Sequence, residues 1–350
     1  MTPSADKSDP IRTGIVGFGL SGRVFHAPFL STNPAFSLDV IATGNSDRAA
    51  DAHARHPSAR IVSSPDALLD LASDLDLVVL ASPAHVHLEQ GLRAFEADAA
   101  VVVDKPFAAS TMEALALIGA SEQSGNPLFV FQNRRWDSDF LTLRGVLDEG
   151  LLGRVHRFES TFERYAPELR DRWQDALTPD AGAGIVFDLG SHLIDQALQL
   201  FGPATVDHAE LAILREGGRS DDEAFISLLH DGGVRSHLTM SRVAALNGPR
   251  FRVLGSEGAF SISGLDSQEP ALKGDMLPDH ADYGVEPESA WGVVSQGGGA
   301  PVPVPSSRGD YPAFYAAVAA TLCEGAPIAV DPADALAVVR IIERAHELSR

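Results

Sequence analysis

Three side chains in this chain of 350 residues have the types and placement to move a proton while a hydride leaves carbon: Lys105, Asp188 and His192. Asp188 and His192 lie four residues apart in GAGIVFDLGSHLIDQ, which puts them on one face if the segment is helical. Lys105 closes the apolar run VVVDKPF, just before Pro106. Histidine is the natural acceptor of a hydroxyl proton near neutral pH. A lysine beside a cationic ring has a lowered pKa and can hydrogen-bond a substrate oxygen. Asp188 can orient the ring or bind a neighbouring hydroxyl, and Asp195 is a second carboxylate on the same segment. Taken singly, each has a plainer reading: a surface lysine, a helix cap, a core histidine. Gly182-Ala183-Gly184 tilts the balance toward function, because glycine permits close approach of backbone to a ligand.

The hydride acceptor is supplied upstream. GIVGFGLSG contains Gly17-Phe18-Gly19-Leu20-Ser21-Gly22, a G-x-G-x-x-G between a strand and a helix. Gly17 permits the tight turn, Gly19 lets a pyrophosphate approach, and Gly22 allows close helix–strand packing. The phosphates then sit at a helix N-terminus, where the dipole and free N–H groups favour anions. The second strand ends in Thr43-Gly44-Asn45-Ser46-Asp47-Arg48. No carboxylate stands at its tip to hold a ribose 2′-hydroxyl. Asp47 reads as a helix cap, and Arg48 can reach a 2′-phosphate. The site therefore favours NADP, with NAD as second choice. Ser82, Pro83 and His87 follow the next strand and line the same crevice, as do Asp104 and Lys105.

These groups need a frame. Ile11–Gly17, Phe36–Thr43, Leu75–Ala81, Ala99–Val103 and Leu128–Phe131 read as strands covered on both faces. Asp47–His56, His85–Ala97 and Thr111–Ser124 read as the helices between them. That is an α/β pattern with a doubly wound parallel sheet over residues 10–131. Residues 132–350 read as an α+β unit with a large, mostly antiparallel open sheet. Its strands are Arg154–Arg164, Val206–Leu214, Glu223–Leu229, Val234–Met240, Phe251–Leu254 and Ala259–Ile262, with a hairpin turn at Asp231-Gly232-Gly233. Its helices are Asp137–Glu149, Ile185–Phe201, Tyr311–Cys323 and Pro332–Leu348, the last packing back on the first unit. Residues 264–309 are expected to be mostly loop.

At the junction, Asn133, Arg134 and Trp136 follow the last strand of the first unit; Tyr165, Arg172 and Trp173 follow the first strand of the second. Planar donors and aromatic faces suit a polyhydroxylated ring. An interdomain salt-bridge network is the competing reading.

Composition narrows the function classes. The formal net charge is -21, which argues against nucleic acid and anionic membrane surfaces. The single cysteine, Cys323, fits a reducing compartment, and the polar start MTPSADKSDP has no apolar signal core, so a cytoplasmic protein with a short mobile tail is expected. Dispersed histidines give no metal pattern, and no G-x-S-x-G occurs.

With these residues in place, the chain resembles the Gfo/Idh/MocA oxidoreductases. The resemblance rests on the G-x-G-x-x-G, on Asp104-Lys105-Pro106 and on the GAG…Asp188…His192 segment, and covers nearly the whole chain. GFGLSGRVFHAP, QNRRWDSDFLTLRG and FDLGSHLIDQALQLFG resemble more narrowly its bacterial branch that includes NADP-dependent scyllo-inositol dehydrogenases. The resemblance implies an NAD(P)-dependent enzyme acting on CH–OH groups of inositols, sugars or related carbonyls, with Lys105, Asp188 and His192 as its lysine, aspartate and histidine. It also implies a homodimer or homotetramer assembled through the open sheet. Two departures stand out: the family's EKP reads DKP here, and the branch often carries an arginine where Asn45 stands. The alternative is a non-catalytic dinucleotide-binding regulator of sugar pathways with the same fold.

Overall fold

The computed structural model describes residues 9–349, so the expected mobile tail lies largely outside the described residues. The first half is built on six parallel strands: β1 Ile11–Val16, β2 Phe36–Ala42, β3 Arg60–Val62, β4 Leu77–Leu80, β5 Ala100–Val103 and β6 Leu128–Val130. Their order is β3-β2-β1-β4-β5-β6. β4 and β5 are buried at every position, as strands covered by helices on both faces must be. The order reverses between β1 and β4, so a crevice opens beyond their carboxyl ends. Gly17, Ser82 and Lys105 leave β1, β4 and β5 at that edge. The short edge strand β3 and the Pro65–Leu69 helix escaped the sequence reading, because three residues carry too little pattern.

The second half carries an eight-stranded sheet ordered β14-β13-β12-β11-β7-β10-β9-β8. Its strands are β7 Val155–Glu163, β8 Ala204–Ala212, β9 Glu223–His230, β10 Arg235–Ser241, β11 Phe251–Gly255, β12 Gly258–Ile262, β13 Gly292–Gln296 and β14 Val302–Val304. All neighbours are antiparallel except β7 and β10, which run parallel in the middle. Along β7 and β10 the even-numbered residues face inward: Phe158, Ser160, Phe162, Leu238 and Met240 are buried. They pack under Leu193, Ile194 and Ala197 of the helix Ser191–Phe201.

Residues 264–309 depart from the expectation of loop. They hold a helix, Gln268–Lys273, and the strands β13 and β14. Pro303 is tolerated because β14 is the sheet edge, where one missing N–H costs no ladder bond. The closing helices join the halves. Tyr311, Phe314 and Tyr315 enter the first core, whereas Val338, Ile341 and Ile342 enter the second.

Two helices begin with the wider turns of a π-helix: Ser21–His26 after the glycine loop, and Val186–Gly190 before Ser191–Phe201. Such turns recur at functional sites, where they re-aim side chains. Gly22 sits inside the first. A Cβ there would lie 2.0 Å from the Gly17 carbonyl oxygen. Gly22→Ala should therefore lower the thermal unfolding midpoint, an overpacking cost of about 1–3 kcal/mol, and weaken dinucleotide binding. Gly119→Ala is the matched control. It lies mid-helix with nothing within 4 Å of its added Cβ, and it should leave the midpoint equal or higher.

Candidate active-site crevice

The glycine loop has the geometry of a phosphate cradle. Gly17 has φ +99, a backbone that favours glycine, and its Cβ would strike the Ala81 carbonyl oxygen at 2.8 Å. Over Gly19 there is open space. The nearest atom to an added Cβ is a terminal nitrogen of Arg48, at 3.8 Å. The Arg48 guanidinium thus stands at the rim of the cradle and forms no ion pair among the described residues. Phe18 turns its ring into the core against His56, so only its backbone faces the loop. Leu20 is exposed. The Ser21 hydroxyl is engaged, donating to the Asp104 carboxylate.

At the tip of β2, Asn45 rather than Asp47 caps the following helix: its side-chain oxygen accepts from the Arg48 N–H at 3.0 Å. This corrects the expected cap and explains the position of Arg48, which the cap fixes in the first turn. Thr43 is buried beside it, its Oγ1 3.5 Å from the Asn45 N–H.

After β4, Ser82 donates to Gln90 Oε1 at 2.6 Å, and Pro83 precedes a short turn. His87 does not line the crevice as expected. It is fully buried, with Nε2 2.9 Å from the Ser82 carbonyl oxygen and Nδ1 3.2 Å from that of Phe107. Burial lowers its pKa. His87 is a brace between the β4 and β5 loops, and no ring nitrogen is left for a cofactor.

After β5, Asp104 accepts the Lys105 N–H at 2.7 Å and lies 3.9 Å from His26 Nε2. Burial raises its pKa, but His26, Lys105 and Ser21 outweigh that and keep it below the usual carboxylate value. The shorter carboxylate of DKP therefore serves as a hub under the loop. The Lys105–Pro106 bond is cis. From here the Lys105 ammonium crosses to the other half of the molecule. Its Nζ donates to the Asp188 carbonyl oxygen at 2.8 Å and to Asp188 Oδ1 at 3.0 Å. An ammonium has three donors, so one remains for a substrate oxygen.

Asp188 is held from both sides. Arg242, at the end of β10, donates to its Oδ2. Burial presses the Asp188 pKa up, but Lys105, Arg242 and Arg164 hold it far below the usual carboxylate range. Burial in turn pushes the Arg242 guanidinium down to about 10, despite Asp188. Both Asp188 oxygens face cations and neither is bonded to His192, so in place of the expected Asp188-to-imidazole orientation Asp188 orients Lys105. His192 lies one turn on, 4% exposed, with Nδ1 buried and without a hydrogen-bond partner. Burial, then the charges of Lys105 and Arg134, lower its pKa well below the ordinary value. A buried polar atom without a partner costs about 1–3 kcal/mol, which is tolerable where a ligand supplies the missing bond.

The glycines before this helix serve the protein rather than a ligand. A Cβ on Gly184 (φ +104) would meet Asp221 Oδ1 at 2.4 Å, and one on Gly182 would meet the Ala84 Cβ at 2.9 Å. Asp221 Oδ2 accepts the Val186 N–H at 2.8 Å, so the close approach seats the helix start on a carboxylate.

The junction residues divide. Arg134 is buried in ion pairs to Asp137 and Glu269, each at 2.9 Å, and Trp136 packs on Phe314. These two expected substrate contacts instead spend their side chains on ion pairs and packing at the junction. Asn133 is buried at the same turn. Asp195 likewise serves structure, paired with Arg135 at 2.6 Å. On the outer wall, Arg172 grips Asp175 with two bonds, at 2.8 and 2.9 Å. Trp173 meets His85 edge to face at 6.5 Å across the crevice, and Tyr165 is 65% exposed. Sequence reasoning missed Arg164 and Arg242. The signal was the inward even-numbered register of β7 and β10, which both arginines continue. A groove of about 810 Å³ between Leu198, Pro203 and Ile341 shares none of these residues. Among the described residues there is no His, Cys, Asp or Glu group that could hold a metal, and no helix is long and apolar enough to cross a membrane.

Residues 11–132 match the model of an oxidoreductase family with an NAD-binding Rossmann fold, and residues 140–261 match the GFO/IDH/MocA C-terminal domain. The chain is 38% identical to an uncharacterized oxidoreductase, YdgJ, of Escherichia coli K12, over 98% of this chain and 97% of that one. It is 32% identical to IolW of Bacillus subtilis, a scyllo-inositol 2-dehydrogenase (NADP(+)), over 98% and 95%. The solved structure of yvaA from Bacillus subtilis superposes with a TM-score of 0.89 at 32% identity, covering 97% of this chain and 96% of that one. Fold and crevice together define an oxidoreductase built on an NAD(P)-binding Rossmann sheet. The chain belongs to the Gfo/Idh/MocA family.

The depressed His192 pKa has a consequence for stability. Below about pH 6.5 the unfolded chain takes up a proton that folded His192 refuses. Its contribution is therefore whole above that pH and is lost as pH falls toward the folded value. Between pH 7 and pH 5 the unfolding free energy of the wild type, followed by denaturant titration, should fall further than that of His192→Gln, by up to about 1.4 kcal/mol per pH unit. Parallel profiles would mean that folded His192 titrates normally.

Proposed function

We propose that this protein is an NADP-preferring dehydrogenase that interconverts a secondary alcohol and a ketone on a cyclic polyol or sugar. The observation that carries this reading is the meeting of Lys105 from the first half with Asp188 from the second, one helical turn from the unpartnered ring of His192. His192 takes the hydroxyl proton during oxidation and returns it during reduction. Lys105, with one donor free, holds and polarises the reacting oxygen. Asp188 keeps the ammonium charged and aimed. The bound dinucleotide supplies the hydride chemistry at its nicotinamide.

The cradle of Gly17 to Gly22, with open space over Gly19, fits a pyrophosphate. Thr43, Asn45 and Arg48 form the ribose end, and Ser82, Pro83, Asp104 and Lys105 the nicotinamide end. The unpaired Arg48 guanidinium at the cradle's rim supports NADP over NAD. The similarity to IolW, a scyllo-inositol 2-dehydrogenase, and an acid-base pair suited to a CH–OH group support the substrate class. In this reading residues 10–131 form the cofactor unit. Residues 132–350 form the substrate unit and carry assembly into a homodimer or homotetramer.

Lys105→Met and His192→Asn should each lower kcat by about 10²–10⁴-fold while NADPH still binds, as followed by its fluorescence. Near-normal turnover of a polyol by both variants would refute the roles. Arg48→Leu should raise the Kd for NADPH by about 10–100-fold and leave that for NADH within about two-fold. Equal losses for the two coenzymes would assign Arg48 to the loop rather than to the 2′-phosphate.

A further inference from the structure

The parallel register that pairs Ser241 with Glu163 sets the next residues, Arg242 and Arg164, side by side on the inward face of the sheet. The Arg164 N–H donates to the Ser241 carbonyl oxygen at 3.0 Å, which ties the two strand ends together. Arg242 is buried and spends its charge on Asp188. Arg164 is exposed and near enough to Asp188 that each shifts the other's pKa, with its guanidinium 5.6 Å from the centre of the Phe162 ring. Arg134 stands 5.0 Å from the centre of the same ring. Several neighbouring charges are matched. Arg134 has Asp137 and Glu269; Arg172 and Arg215 have Asp175 and Asp222. Lys105 and Arg242 share the single charge of Asp188. Arg164 has no ion pair among these. Partial desolvation and the nearby Arg172 and Arg134 press its pKa down, against the pull of Asp188 and Glu269.

The crevice is thus a pocket of surplus positive charge in a protein whose net charge is -21. A neutral polyol gives such a surplus nothing to pair with. We propose that the substrate is an anionic polyol or sugar, bearing a carboxylate or phosphate that Arg164 binds while Lys105 and His192 address a hydroxyl of the same molecule. This rests on the dehydrogenase reading and narrows its substrate class. A guanidinium offers paired parallel donors that match either acid group. An anion there would also ease the repulsion that lowers the proton affinity of His192, so binding the acid would favour the base.

The test uses matched compounds on the full-length protein with NADP: D-glucose and myo-inositol as neutral compounds, D-glucuronate for a carboxylate, D-glucose 6-phosphate for a phosphate. The wild type should favour one of the acids over glucose by at least about ten-fold in kcat/KM, or bind it at least that much more tightly by calorimetry where turnover is slow. The arm that wins identifies the acid group. Arg164→Gln should abolish that preference, raising KM for the favoured acid at least about ten-fold more than KM for the neutral compounds. Neutral compounds used as well as both acids, with Arg164→Gln affecting all equally, would overturn the proposal and leave the dehydrogenase standing. Failure of both acids to bind or react would overturn it too. Loss of the dehydrogenase reading is a separate result, seen in the Lys105 and His192 variants.

Discussion

The ion-paired carboxylate of Asp188 is the constraint on which the crevice depends. It receives Lys105 from the end of a parallel strand and Arg242 from the end of an antiparallel sheet's central strand. Neither cation could be held in place alone: a buried ammonium tends to lose its proton, and a buried carboxylate without partners tends to gain one. Together they keep each other charged. They also bring the Lys105 ammonium to Asp188, one helical turn before His192. Removing either partner leaves an uncompensated charge, which is why such a pair fixes geometry more firmly than it adds stability.

That pairing needs the halves to meet in one register. A second set of buried polar contacts supplies it. Arg135 links the last Rossmann loop to Asp195 and Asp334, Tyr311 donates to Asp137 at 2.6 Å, and Glu343 accepts from Thr111. His26 shares a 2.7 Å bond with Tyr315, so the glycine loop's own helix is tied to the closing helices. The residues that looked like ligands at the junction, Arg134 and Trp136, belong to this frame. Their chemistry is spent on holding the crevice walls at fixed separation, which side chains drawn from two different sheets need if they are to meet.

Charge follows the same division of labour. The chain as a whole is strongly acidic, whereas the crevice collects Lys105, Arg164, Arg172 and Arg242 around the buried carboxylates of Asp188 and Asp175. Such focusing raises the local concentration of an anion and excludes cations, whatever the net charge of the whole.

The parallel sheet, the glycine cradle and the identities of Lys105, Asp188 and His192 were legible in the sequence, because each is a local pattern: buried β-branched runs, glycines at fixed offsets, groups flanking a proline or sharing a helix turn. The strands of residues 264–309 were not, since their pairing partners lie elsewhere in the chain and Gly-Pro-Ser composition masks them. Nor could local pattern tell that His87 turns inward to brace two loops, that Asn45 rather than Asp47 caps its helix, or that Gly184 makes room for Asp221. Sequence alone determined which chemical groups are available and which elements carry them. Only the tertiary structure decided which groups meet, because ion pairs such as Lys105–Asp188 and Arg242–Asp188 join residues from separate sheets and strands, and burial, not spacing, sets how strongly they hold one another.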